Sequence, residues 1–326
     1  MLVRCLALIS LWTCPLLAEP WLLVLFKGGS ALGIYTPEGQ MVSSVPVGKH
    51  PHEMVISPNG KYAYITDNGT MAIEQAGEGG NTISIIDLVG RIRLGAISLG
   101  KYRRPHGIAL DYRTGRLAVT TENPDRLLIV DPVRRRVVRT YDTGGHTSHM
   151  VTLDPKGEWA YVSNSRSNNV AAIHLATGKL QLIPTGARPE GSVLSRDGRY
   201  LYVVNRDGHK ITIIDTSSKR VAGEIPTSRG PVRIDITPDG SELVYAAMED
   251  QKVDFLDLAS RRIVASVALD GRPVSLHLSP DGRCALTAAQ DIDAVYVISV
   301  RERKLLRKIR TPDKSAPDPV CWVDLD

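Results

Sequence analysis

Short runs of alternating apolar and polar residues follow one another along almost the whole chain. Successive side chains of a β-strand point to opposite faces, so a period of two predicts half-buried strands. The runs are separated by turns such as SPNG at 57–60 and TPDG at 237–240, whose residue types favour tight chain reversal. The pattern therefore predicts an antiparallel, all-β fold built from many short strands.

The strand runs are grouped into a repeat of about forty-two residues. Each unit begins with an anchor residue, usually proline, followed by one alternating run, a turn that ends in Gly, and three more runs. The anchors are Pro51, Pro105, Ser148, Pro189, Pro231, Pro273 and Pro317. Four antiparallel strands in a unit of this length are typical of one blade of a β-propeller.

The seventh unit is divided between the two ends of the chain. Only one run, PVCWVDL, follows the last anchor, whereas three runs near the start, WLLVLF, ALGIYT and QMVSSVPV, lack an inner strand. Pairing the last strand with the first completes this blade and removes open sheet edges. The sequence therefore predicts a seven-bladed β-propeller of four-stranded antiparallel blades, with residues 19–326 forming one domain.

The first eighteen residues differ from the repeat. A positive start at Arg4 is followed by a mostly apolar stretch, and Ala18 then precedes Glu19 and Pro20. This layout is typical of a secretory signal peptide, so we expect residues 1–18 to be cleaved and the protein to be secreted or periplasmic. Of the four cysteines, Cys284 and Cys321 would remain, as one disulfide or as two buried thiols.

Charge narrows the class of partner. The net charge of +5 at pH 7 is mildly basic, and the basic runs at 134–136 and 301–310 fit solvated outer strands better than a polyanion site. We therefore expect no nucleic-acid partner, and no run after the signal peptide is apolar enough to span a membrane. A monomer with a small-molecule ligand is the expected state, and a protein partner stays open.

Candidate chemistry lies beside the anchors, because inner strands line the central channel of a propeller and their first residues face its mouth. We call the residue after each anchor the ring position. The ring candidates are His52, His106, His149, Glu190, Val232 or Arg233, Val274 or Ser275, and Asp318. Loops after the second strands add further ligand-binding candidates, namely Asp67, Glu122, Asn164, Asn205 and Arg206. Converging polar groups of this kind predict a binding site, although each histidine could instead cap a strand.

Two chemistries compete for the ring. Three imidazoles and a carboxylate, from His52, His106, His149 and Glu190, are a ligand set for zinc or another first-row divalent ion. Alternatively, His149 and Glu190 form an acid–base pair, with Glu190 raising the pKa of His149, and Arg233 holds an anionic group. The sequence has no nucleophile elbow, phosphate loop or dinucleotide fingerprint.

The SPNG, TPDG and SPDG turns, the YVVN and YVSN second strands and the IID third strands resemble the YVTN-type propeller family over essentially the whole chain after residue 18. That resemblance implies the propeller fold and allows a non-catalytic interaction scaffold. The segments RPEGSVLSRDGRYLYVVNRDGHKITII and GKHPHEMVISPNGKYAYITDNG also resemble lactonases of the 6-phosphogluconolactonase and carboxymuconate-cyclase type. This second resemblance implies a lactonase-like hydrolase or lyase with His149, Glu190 and Arg233 around the channel mouth. That family commonly has an arginine where this chain has Ser148, and the missing guanidinium would weaken carboxylate binding.

Residues 69–80 lengthen the first unit beyond the repeat and include four glycines. We call this segment the insertion. It follows the second strand of its unit and therefore rises beside His52. A flexible loop in that place is expected to act as a partial lid, and an inert surface loop is the alternative.

Overall fold

The structure is a computed structural model that describes residues 20–325. These residues form seven four-stranded antiparallel sheets around a central channel. The predicted seven-bladed β-propeller is thereby confirmed, whereas the predicted signal peptide lies outside the described residues. Within residues 20–325, no helix has the length and apolar character needed to cross a membrane.

The first blade combines strands from both ends of the chain. It contains β1 (Trp21–Phe26), β2 (Ala31–Tyr35) and β3 (Met41–Pro46), with β28 (Pro317–Val323) on the channel side. Blades 2 to 4 contain β4 (Pro51–Ile56), β5 (Tyr62–Asp67), β6 (Thr82–Asp87), β7 (Ile92–Ser98); β8 (Arg103–Asp111), β9 (Arg116–Asn123), β10 (Asp125–Asp131), β11 (Arg136–Asp142); and β12 (Ser148–Leu153), β13 (Trp159–Asn164), β14 (Asn169–His174), β15 (Leu180–Pro184).

Blades 5 to 7 complete the ring. They contain β16 (Pro189–Leu194), β17 (Tyr200–Asn205), β18 (Lys210–Asp215), β19 (Arg220–Pro226); β20 (Pro231–Ile236), β21 (Glu242–Ala247), β22 (Lys252–Asp257), β23 (Arg262–Ala268); and β24 (His277–Leu278), β25 (Cys284–Ala289), β26 (Ala294–Ser299), β27 (Lys304–Arg310). In each blade the first strand of the repeat is innermost, and neighbouring inner strands contact one another around the channel.

The two ends of the chain close the propeller as predicted. β28 pairs antiparallel with β1, and the register places Val320 opposite Val24 and Cys321 opposite Leu23. Val320, Val24 and Leu23 are completely buried. Closure therefore combines a hydrogen-bonded ladder with apolar packing, two contributions that are lost together if the last strand is removed.

The outermost strands are the most exposed part of each blade. In β27, six of the seven residues are exposed, and Ile309 alone packs inward. The basic run at 301–310 therefore lies largely on an outer strand in contact with solvent, as the sequence predicts.

Cys284 and Cys321 are not joined by a disulfide. The Sγ atom of Cys321 lies 4.0 Å from the Sδ atom of Met54 in the next blade. Burial raises the pKa of the Cys321 thiol to about 12. The structure thus favours the second alternative from the sequence, in which these cysteines are packed thiols.

Deletion of residues 317–326 should open the propeller between blades 7 and 1, which only β28 joins through the chain. Because β1 would lose both its ladder to β28 and the apolar cover from Val320, we expect the free energy of unfolding to fall by about 3 kcal/mol or more. Urea unfolding followed by circular dichroism measures this loss. Val133→Ala, at an 89% exposed side chain, should change stability by less than about 0.5 kcal/mol, and an unchanged midpoint in the truncated chain would contradict closure by β28.

Candidate functional site

A cavity of about 380 Å³ occupies the channel mouth. We call it the mouth cavity. All seven ring positions line it, namely His52, His106, His149, Glu190, Val232, Val274 and Asp318. Arg233 also lines it, one residue further along its strand, whereas Ser275 is buried and its hydroxyl accepts a hydrogen bond from the amide of Ala288.

A second set of lining residues follows the second strands. In blades 1, 5, 6 and 7 the anchor proline pairs with the last residue of the second strand, and the residue after that one faces the cavity. These residues are Lys27, Arg206, Met248 and Gln290. Glu122 holds the corresponding place in blade 3, because Pro105 pairs with Thr121.

Asp67, Asn164 and Asn205 lie one residue earlier, directly opposite their anchors. Since a shift of one residue in a strand turns a side chain to the other face, none of the three lines the mouth cavity. The carboxylate of Asp67 instead accepts hydrogen bonds from the amide of Gly48 and the hydroxyl of Ser84. The amide of Asn205 likewise bonds within its own blade, and that of Asn164 donates to Asn169 of its blade and to Thr143 in the loop from the preceding blade. Their placement gives these three residues a structural role.

The three histidines form a row on adjacent blades. The ring centroids of His52 and His106 are 4.4 Å apart, and those of His106 and His149 are 3.8 Å apart. The backbone permits this close spacing, because a Cβ atom on Gly107 would meet the carbonyl oxygen of His149 at 2.5 Å. The hydroxyl of Thr120 also donates a 2.5 Å hydrogen bond to that carbonyl.

Hydrogen bonds tie two of these imidazoles into a chain. Nδ1 of His52 lies 3.3 Å from Nε2 of His106, and Nε2 of His52 lies 2.8 Å from the carbonyl oxygen of Thr70 in the insertion. Nδ1 of His106 lies 2.8 Å from Oε1 of Glu122, and the other Glu122 oxygen accepts a 2.8 Å hydrogen bond from Arg104. Glu122 therefore acts on the site through His106 and does not line the cavity itself.

The Glu190 carboxylate lies among three guanidinium groups. Arg188 donates a 3.1 Å hydrogen bond to it, and nitrogens of Arg233 and Arg206 lie 3.7 and 3.9 Å from its oxygens. Nδ1 of His149 is 3.3 Å from Oε2 of Glu190, but the angles do not allow a hydrogen bond, so this buried nitrogen has no hydrogen-bond partner. The Glu190 carboxylate thus organises the arginines and approaches His149 without fixing its tautomer.

Two further ion pairs lie in the channel. Arg233 donates a 2.6 Å hydrogen bond to Glu53, which belongs to the blade across the channel. Lys27 Nζ lies 3.9 Å from Asp318, whose Oδ2 also accepts a hydrogen bond from Gln290 at 2.9 Å. Charges of both signs are therefore buried together at the channel mouth, as desolvated ions require.

The expectation of a raised pKa for His149 is wrong. Burial holds the pKa of His149 well below its ordinary value, and the positive charges of Arg233, Lys27, Arg188 and Arg206 act in the same direction. The pKa values of His52 and His106 are also held well below the ordinary value, mainly by burial. All three imidazoles are consequently neutral at pH 7.

Burial has the opposite effect on two carboxyl groups. It raises the pKa of Asp318 to about 7, although Lys27 partly offsets the shift, and it raises the pKa of Glu122 to about 7 against the opposing effect of Arg104. Burial also lowers the pKa of Lys27. The mouth therefore holds groups that exchange protons close to neutral pH.

The predicted metal ligands do not fit a metal ion as they are arranged. Both nitrogens of His52 and both nitrogens of His106 take part in hydrogen bonds within the protein. Across residues 20–325, no group of three His, Cys, Asp or Glu side chains could hold a metal ion. Metal analysis of the purified protein is the direct test of the metal hypothesis.

The insertion covers part of the mouth cavity. Met71, Ala72, Ile73 and Glu74 belong to the cavity lining. The Arg104 guanidinium donates hydrogen bonds to the carbonyl oxygens of Ile73 and Gln75, at 2.9 and 3.0 Å. Glu74 also lies 3.1 Å from Arg188, so the insertion is tied to the mouth at several points, the position expected of a partial lid.

The sequence analysis did not predict several of these residues, although some of them have a recognisable sequence pattern. Arg104 and Arg188 each precede an anchor proline and adopt φ angles of 55° and 57°; both contact a mouth glutamate of their own blade. The Arg-Pro pairs are visible in the sequence, but the contacts depend on that left-handed turn. Lys27 could have been found by aligning β1 with the other second strands. The pairing of Glu53 with Arg233 leaves no local signal, since 180 positions separate the two.

No protein-family model matches this sequence, and no curated protein matches it. Solved structures with a similar fold include a functionally unknown protein from Desulfotomaculum acetoxidans, with a TM-score of 0.77 at 15% identity, covering 94% of this chain and 100% of that one. The periplasmic gluconolactonase PpgL of Pseudomonas aeruginosa has a TM-score of 0.75 at 17% identity, covering 94% and 99%. Kuenenia stuttgartiensis hydrazine synthase has a TM-score of 0.69 at 18% identity, covering 80% and 86%. At these identities the likeness defines the class of protein as a β-propeller, and the YVTN-type assignment stays a prediction.

Arg104→Ala should release the insertion. The variant removes the side-chain donors that hold the carbonyls of Ile73 and Gln75, so amide hydrogen exchange across residues 70–80 should become faster by about ten-fold or more. Mass spectrometry after pulsed exchange measures the effect. Arg116→Ala, at an exposed position of the same blade, is the matched control, and equal exchange in both variants would show that Arg104 does not hold the insertion.

Proposed function

We propose that this propeller binds a small anionic ligand in the mouth cavity. The observation that carries the proposal is the presence of two cationic groups whose hydrogen-bonding capacity is unused. The nearest carboxylate oxygen to Lys27 Nζ, on Asp318, is 3.9 Å away, which is beyond hydrogen-bond distance. Nε of Arg206 is buried and has no hydrogen-bond partner among residues 20–325. An ammonium held in a cavity without an acceptor is costly unless a ligand supplies one.

The other walls of the mouth cavity indicate which further groups the ligand should have. One wall of the mouth cavity, opposite the histidine row, is apolar. It consists of Val232 and Met248 of blade 6 and Val274 of blade 7. Most small-molecule sites combine apolar contact area with a few polar groups that fix orientation. We therefore infer a ligand with an apolar or weakly polar face, a hydrogen-bonding edge and at least one negative charge.

Lactone hydrolysis is the second candidate, and the neutral imidazole of His149 favours it. A neutral imidazole can take a proton from water, and the resulting hydroxide would attack the carbonyl carbon of a lactone. The ring C–O bond then breaks, and the departing alkoxide takes the proton back from His149. Lys27 and Arg206 are suited to stabilise the oxyanion formed on the way. The fold shared with the gluconolactonase PpgL adds no residue-level support, because it shows architecture alone.

We further propose that the protein acts outside the cytoplasm. The signal-peptide layout of residues 1–18 supports this location. The expected ligand is then an extracellular or periplasmic small molecule. Detection of a mature chain that begins near Glu19 in the periplasmic or culture fraction would test the proposal.

Lys27→Met should weaken ligand binding while leaving the fold intact. Methionine fills similar volume without a buried charge, and losing one charge-assisted hydrogen bond should weaken affinity by about ten- to a hundred-fold. Calorimetry with a panel of sugar acids, aldonolactones and short carboxylates measures this. Lys49→Met, at an exposed lysine, is the matched control. If some anion binds the wild type and Lys27→Met equally well, Lys27 is not the anchor.

His149→Ala should abolish lactone turnover if the second candidate is correct, because His149 is the imidazole that approaches Glu190 among residues 20–325. Hydrolysis of a lactone panel, followed by base consumption, measures turnover, and His146→Ala, at an 84% exposed side chain, is the control. Metal content measured on the same samples tests the metal hypothesis, since loss of a bound ion would point to it. A third outcome is that the wild type, His149→Ala and Lys27→Met all fail to bind or hydrolyse any member of the panel. That outcome would favour an interaction scaffold.

A further inference from the structure

We propose that Glu122 is a neutral carboxylic acid in the folded protein below neutral pH, and that Glu122, His106 and His52 form one proton chain ending at the insertion. Glu122 is in this proposal a positioning residue, because it sets the tautomers of two histidines. The proposal does not depend on the identity of the ligand.

The insertion determines the direction in which hydrogen bonds are donated along the proton chain. The carbonyl oxygen of Thr70 can only accept a hydrogen bond, so Nε2 of His52, 2.8 Å away, must carry a proton. Thr70 is itself held in place, because its hydroxyl donates a 2.6 Å hydrogen bond to Asn68 and its amide bonds the same oxygen. A neutral His52 then has an unprotonated Nδ1.

The same reasoning passes through His106. The unprotonated Nδ1 of His52 can only accept, so Nε2 of His106, 3.3 Å away, must donate. A neutral His106 then has an unprotonated Nδ1, which lies 2.8 Å from Oε1 of Glu122. Two acceptors at that distance would repel each other, and the missing proton must therefore be on Glu122.

One alternative that keeps every hydrogen bond is an imidazolium at His106 paired with an ionised Glu122. Burial opposes it, because the side chains of His106 and Glu122 are only 5% and 6% exposed. The charged groups around the histidines are cationic as well: Lys27 faces both, Arg233 and Arg104 face His106. Burial raises the pKa of Glu122 to about 7, with a smaller contribution from Asp125, although Arg104 and Lys27 favour its ionisation.

Loss of the proton would break one link of the chain. With Glu122 ionised, a neutral His106 donates from Nδ1, and its Nε2 becomes an acceptor. His52 must then donate from Nδ1, which leaves its Nε2 without a proton for Thr70. Deprotonation of Glu122 is in this way coupled to loss of the His52–Thr70 hydrogen bond, one of the contacts that hold the insertion over the mouth cavity.

The tautomers of His52 and His106 test the proposal without any ligand. In protein carrying 15N-labelled histidine, both side chains should show the Nε2–H tautomer at about pH 6. Long-range 15N–1H correlations distinguish the nitrogens, and single substitutions assign the signals. An Nδ1–H tautomer or an imidazolium at His106 in the wild type would overturn the proposal, and this outcome does not depend on the folding of any variant.

Glu122→Gln is the informative variant. A glutamine amide donates to His106 and accepts from Arg104 as the protonated acid does, so both tautomers should persist and stay constant through about pH 8. In the wild type, the folded protein holds a proton that the unfolded chain loses near its ordinary pKa of 4.5. The stability of the wild type relative to Glu122→Gln should therefore fall as pH rises from about 4.5 to about 7, and then level off.

Glu78→Gln is the matched control, because that side chain is 80% exposed, and it should reproduce the wild-type curve. A stability difference that rises with pH, or a change of His106 tautomer in Glu122→Gln, would mean that Glu122 is ionised in the folded state. A failed screen for ligands would leave these spectra unaffected, so the proton chain and the proposed function can fail separately.

Discussion

Pairing of β28 with β1 is the constraint on which the whole structure depends. The seven ring positions belong to seven separate inner strands, and they meet only because those strands are held around one channel. Asp318 is on the closing strand β28, and Lys27 directly follows β1, the strand with which β28 pairs. An open ring would separate this lysine from this carboxyl and blade 1 from blade 7, so closure assembles the site as well as the fold.

The mouth cavity is governed by the cost of burying charge. Glu190, Glu53 and Asp318 each lie within 4 Å of an arginine or lysine, which offsets the loss of hydration. The histidines meet the same cost by staying neutral, and Glu122 and Asp318 meet it by binding protons near pH 7. Two cationic groups are not fully compensated by hydrogen bonds, namely the ammonium of Lys27 and a guanidinium nitrogen of Arg206. They indicate that the site fits a negatively charged ligand.

At the end of the second strand of a blade, the side chain with a structural role and the side chain that faces the cavity occupy neighbouring positions. The positions opposite the anchors, including Asp67 and Asn205, bind their own blade, whereas the next positions, including Lys27 and Arg206, face the cavity. The repeat can therefore keep its turns and still vary the cavity lining. The insertion adds a further level, because its backbone is held both by Arg104 and by the histidine chain.

The sequence by itself determined the fold. Strand alternation, the forty-two-residue repeat and the incomplete last unit are local or periodic signals, and together they predicted seven blades, their closure and the ring of His52, His106, His149 and Glu190. The tertiary structure decided the rest. A one-residue error at Asp67, Asn164 and Asn205 arose because strand register depends on the partner strand, and the pairing of Glu53 with Arg233 depends on ring closure. Proton affinity was also beyond the sequence: proximity to Glu190 predicted a raised pKa for His149, but desolvation and surrounding arginines, which only the folded channel brings together, lower it.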